Sequence, residues 1–110
     1  MKLRLEDNTL RLRLSAADLT EFSRAGRLET VLLLGLAATD TLTYALVRAA
    51  DLAGSEPQLI YAPGHITIAL PAPLADAWTS TETISLRGQL PVAGNQVLHI
   101  LVEKDLDCKH

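Results

Sequence analysis

Lys2 and Arg4, then Arg11 and Arg13, stand at alternating positions near the start of the chain, each pair separated by a leucine. A guanidinium fork grips phosphate or carboxylate with two parallel hydrogen bonds and an ammonium adds a point charge, so the chemistry offered is anion binding. Lys104 is a further candidate for the same site. Glu6, Glu29, Glu103 and Asp105 are the acidic residues that could meet this charge. If they do, the basic face is a solvated, internally paired surface whose long stems cover apolar neighbours.

The same basic and acidic residues invite a comparison with tunnel-like triphosphate enzymes, where strands point both kinds of charge at metal and phosphate. That family's spaced glutamate pattern is absent. Cys108 and His110 with Asp105 and Asp107 lack a second Cys/His pair at zinc spacing, so no metal site is expected. Cys108 as a nucleophile, with His99 or His65 as base, has no oxyanion loop or acidic orienter beside it and reads as a small hydrophobe. His99, inside an apolar strand, is expected in the core or an interface, and His65 in an exposed turn. No phosphate-cradling glycine loop or serine elbow occurs, and no cofactor is expected.

The elements that must position these residues follow from periodicity. Leu3 and Leu5, then Leu10, Leu12 and Leu14, alternate with charged residues in the manner of two half-buried strands. A tight turn at Asp7-Asn8 sets Leu5 against Leu10, Leu3 against Leu12, Arg4 against Arg11 and Lys2 against Arg13. Like charges placed directly opposite each other need compensation. Ser15 and Asp18 then form a capping box, Leu19 and Phe22 supply a buried stripe, Arg24 suits the helix dipole, and Gly26 supplies a left-handed cap.

Strands are expected over 28–34 and 42–48, although the leucines of the first also suit a helix. Strands over 58–62 and 65–70 flank a type II turn at Pro63-Gly64, and Pro73 opens a short helix reaching Trp78. The last strands cover 83–90 and 96–103, joined through residues 91–95, and the final one, apolar on both faces, belongs in the middle of a sheet. No internal repeat is evident. The expected fold is α+β: about seven antiparallel strands, curved like a barrel or packed in two layers, with one capped N-terminal helix and a short second helix.

Composition narrows the function. The 110 residues suit one domain, and 48% apolar against 21% charged residues is globular. Only Phe22, Tyr44, Tyr61 and Trp78 are aromatic and the net charge is -3, which disfavours nucleic acid. A single cysteine excludes an intrachain disulfide and fits a reducing cytoplasm. No signal-peptide run or membrane span is expected. The high aliphatic content suggests a homodimer.

The segments Asn8-Thr9-Leu10-Arg11-Leu12-Arg13-Leu14, Leu42-Thr43-Tyr44-Ala45-Leu46 and Leu101-Val102-Glu103-Lys104-Asp105-Leu106-Asp107-Cys108 resemble a family of short uncharacterised bacterial proteins, a domain of unknown function. The resemblance spans nearly the whole chain. It implies a bacterial, cytoplasmic protein and transfers no catalytic residue. The expectation is therefore a noncatalytic module binding a small anion or a protein partner, with a phosphate-handling enzyme on the same basic face as the alternative.

Overall fold

The computed structural model describes residues 1–105. Alternation of leucine and charge produces the first hairpin, β1 (Lys2–Glu6) and β2 (Thr9–Leu14), in the register that buries Leu10, Leu12 and Leu14. Asp7 makes the turn with φ 52°. Asn8 then fastens it to the far end of the chain: its side-chain amide donates to the Val97 carbonyl at 2.9 Å, and its carbonyl accepts from the His99 amide at 2.9 Å.

Helix α1 (Ala16–Ala25) starts on the capping box, with Ser15 Oγ accepting from the Asp18 amide and Asp18 accepting from the Ser15 amide, and stops at Gly26, φ 73°. Asp18 also pairs with the terminal ammonium at 2.7 Å. Partial burial alone would raise its pKa, but the hydrogen bonds from the ammonium and Ser15, with the ammonium's charge, outweigh it and hold the carboxyl below its ordinary value. A carboxyl depressed on folding contributes stability above its unfolded pKa and loses it as pH falls through the folded value. Asp18→Asn should accordingly flatten the loss of stability below about pH 4 in acid unfolding followed by circular dichroism. Ser15→Ala should cost about 1 kcal/mol at neutral pH.

The apolar run after α1 forms a strand, β3 (Arg27–Leu33), paired antiparallel with β4 (Thr41–Ala49). β5 (Gln58–Ala62) and β6 (His65–Pro71) flank Pro63-Gly64, with Gly64 at φ 79°. Helix α2 (Ala72–Ser80), with proline in its first turn, buries Ala75 and Trp78. β7 (Ser85–Val92) continues through Pro91, and a tight turn over Ala93–Asn95, with Gly94 and Asn95 at φ 71° and 58°, leads into β8 (Gln96–Lys104). Pro91 was expected in the connection that follows a strand over 83–90. It is tolerated because β7 lies at a sheet edge.

The α+β class stands, with eight strands rather than seven, in two four-stranded sheets ordered β1-β2-β8-β7 (sheet A) and β3-β4-β6-β5 (sheet B). Neither sheet is wholly antiparallel: β2 pairs with β8, and β4 with β6, in parallel. Hairpins are legible locally, but which hairpins meet is decided by burial between distant segments. The element order β1 β2 α1 β3 β4 is repeated as β5 β6 α2 β7 β8, and the two halves exchange hairpins so that each sheet holds one from either half.

The repeat escapes detection in sequence because its halves share topology rather than residue identity. Ala16 and Ala72 open the two helices, and Phe22 and Trp78, their largest buried side chains, meet edge to face at 6.3 Å. These rings join Leu14, Leu46, Leu70 and Val102 in one core spanning both sheets. Lys104 Nζ lies 5.7 Å from the Trp78 ring centre and donates to the Thr81 carbonyl at 2.7 Å, just past the end of α2.

Candidate functional site

Cross-strand partners share a face and alternate residues change face, so the pairing registers fix the outer surface of sheet A as three rows. Nearest the helices are Lys2, Arg13, Glu103 and Ser85. The middle row is Arg4, Arg11, Leu101 and Arg87, and the third is Glu6, Thr9, His99 and Gln89. Lys2, Arg4, Arg11 and Arg13 are thus brought together as the alternation implied.

Lys104 is not with them. Its partner in β2 is Leu14, which faces the core, and the lysine is only 8% exposed beneath Trp78. Glu29 is also elsewhere, on sheet B, paired with Arg27 at 2.6 Å. Cys108 and His110 lie outside the described residues.

The counter-charge comes from Glu6, Glu103 and Asp105. Arg4 pairs with Glu6 at 3.3 Å, Arg11 and Arg13 approach the same Glu103 oxygen at 3.4 and 3.6 Å, and Arg13 reaches Asp105 at 3.7 Å. The contacts to Glu103 exceed the 2.7–3.2 Å of a well-formed N–H···O bond, and Arg13 Nε is buried without a hydrogen-bond partner. Neutralisation is incomplete. Among the described residues, Lys2 and Arg87 have no carboxylate partner.

Sequence reasoning missed Arg87, Gln89 and the outward position of His99. Arg87 and Gln89 alternate with Leu86 and Leu90 across Gly88, so the outward side of β7 was visible. That this side continues the basic face depends on the β7–β8 register. His99 is exposed rather than in the core, because its alternate neighbours Leu98 and Ile100 face inward. Leu101, on the outer face, is nevertheless only 7% exposed between Arg11 and Arg87, as expected if their stems lie over it.

Thr9, Arg11, Arg87, Gln89, His99 and Leu101 line much of a depression of about 290 Å³ across β2, β8 and β7. Two guanidiniums, an amide, a hydroxyl and an imidazole are donors of the kind that hold a small oxyanion. Among the described residues, no group of three or more His, Cys, Asp and Glu is close enough to hold a metal ion. No helix among them is long and apolar enough to cross a membrane.

Compared with known families, the chain matches over residues 1–110 the model described as Family of unknown function (DUF7009). The chain belongs to this family. No curated protein and no solved structure matches it. In this DUF7009 chain a further cavity, about 430 Å³, is lined by Gly54, Ser55, Glu56, Gln58 and Gln89 among others and offers no cation, so its chemistry differs from that of the depression on sheet A.

Proposed function

We propose that the protein is a noncatalytic cytoplasmic binding module that takes a small oxyanion, phosphate or carboxylate, between Arg11 and Arg87 on the outer face of sheet A. The carrying observation is the depression whose two guanidiniums are under-neutralised, Arg87 with no carboxylate and Arg11 only loosely sharing Glu103. An incoming oxyanion supplies the missing negative charge and accepts bonds that Glu103 does not. The single cysteine in the sequence supports the cytoplasmic setting.

Calorimetric titration of the full chain with inorganic pyrophosphate tests this reading. Arg11→Ala combined with Arg87→Ala should weaken binding by about a hundredfold or more, since each of the two guanidiniums gives charge-assisted hydrogen bonds that contribute about 1.5–3 kcal/mol, while the variant stays folded. Equal affinity in the double variant, no binding by the parent, or metal-dependent turnover of a phosphoester that needs Glu103 would each overturn it. Glu103→Gln should raise pyrophosphate affinity severalfold by releasing Arg11, and should lower stability by about 1 kcal/mol. A structural ion pair with no ligand role predicts only the second effect.

A further inference from the structure

Three of the four sheet edges carry features that discourage pairing with another chain. β1 has Lys2, Arg4 and Glu6. β7 contains Pro91, its Gln89 amide donates to the Glu56 carboxylate at 3.3 Å, and Pro57 packs across Gly88. β5 exposes Ile60 and Tyr61 but is limited to five residues between Pro57 and the Pro63-Gly64 turn, which leaves little length for a partner strand.

β3 is different. Its charges, Arg27 and Glu29, occupy only its first half. From Val31 to Leu34 every side chain is apolar and 47 to 72% exposed, on alternating faces of the strand. The following loop holds this segment extended: the Leu34 amide donates to the Asp40 carbonyl at 2.7 Å, and Asp40 Oδ2 accepts from the Ala37 amide at 3.1 Å. An ordered edge that is apolar on both faces and free of charge along half its length is a strand lacking a neighbour.

We propose that two copies pair β3 to β3, antiparallel about a two-fold axis normal to the sheet, joining their copies of sheet B into one continuous sheet. A second copy is the occupant because the strand is complementary to itself. Centred on Leu32, the register sets Val31 against the partner subunit's Leu33 and Thr30 against the partner subunit's Leu34. Glu29 and Arg27 then fall opposite the partner's loop, and no like charges meet directly. The symmetry closes the assembly at two, with both copies of the β3 edge paired. The contact lies on the sheet that does not carry the basic face, so dimerisation and anion binding should be separable.

Sedimentation equilibrium of the full chain over micromolar to high micromolar concentrations is the test. A mass approaching twice 11.9 kDa is expected, and Val31→Lys should raise the dimer dissociation constant by about tenfold or more. Ile60→Lys, exposed on β5 at the opposite edge of the same sheet, should leave it nearly unchanged. A monomeric parent overturns the proposal, as does a dimer sensitive to Ile60→Lys but not to Val31→Lys. Hydrogen exchange on the unmodified chain keeps the test sound should Val31→Lys fail to fold: amides of β3 must gain protection with concentration, and protection gained only elsewhere overturns the pairing.

Discussion

Trp78→Ala is expected to lower unfolding free energy by about 3–5 kcal/mol, the cost of emptying a large aromatic site in a closed core. The indole is 1% exposed, meets Phe22 edge to face, and donates from Nε1 to the Ile84 carbonyl at 3.1 Å. It is also the aromatic surface over which Lys104 is held. With it gone, the lysine stays buried beside a void and loses the attraction of the ring face. The Ile84 carbonyl keeps one donor, the Lys104 amide at 3.0 Å, so the penalty comes chiefly from lost packing. Domains of this size have about 5–15 kcal/mol in total, and the variant should therefore be partly unfolded near body temperature. Urea unfolding followed by far-ultraviolet circular dichroism checks this, with Trp78→Phe expected to retain well over half of the lost stability. A loss below about 1 kcal/mol for the alanine variant would mean the two helices are not the common anchor of both sheets.

Gly88→Val should have the next largest effect, about 3 kcal/mol or more, for the opposite reason. A Cβ at Gly88 would stand 2.6 Å from the Pro57 carbonyl oxygen and 3.3 Å from its Cδ. The obstacle is backbone in a buried proline, so it cannot rotate away as a flexible side chain could. At this point the chain entering β5 crosses β7, and the bond from Gln89 to Glu56 lies beside it. Valine should therefore open the β5–β7 side of the molecule, with amide shift changes concentrated in residues 54–59 and 85–92. Gly94→Ala is the informative contrast: its φ of 71° disfavours a side chain, yet the nearest atom is Gln96 Cγ at 3.8 Å. It should cost only about 1 kcal/mol. Equal losses at both positions would remove the steric explanation.

Where the two sheets come from was only partly legible in the residues. The first hairpin, its register, the capping box at Ser15 and Asp18, the Gly26 stop and the Pro63-Gly64 turn were all readable, because each depends on residues a few positions apart. The ambiguous leucine run of β3 resolved as a strand only through its pairing with β4. Helix and strand bury comparable area in so short a segment, and the sequence holds no local signal that separates them.

The basic face divides in the same way. Alternation by itself determined that Lys2, Arg4, Arg11 and Arg13 share one side of a hairpin. Tertiary structure decided the rest: parallel pairing of β2 with β8 brought Glu103 to Arg11 and Arg13, antiparallel pairing of β7 brought Arg87, and one step in β8 turned Lys104 into the core. The physical reason is that side-chain direction along one strand follows from a period of two, whereas contact between strands distant in sequence is fixed by which apolar faces bury one another.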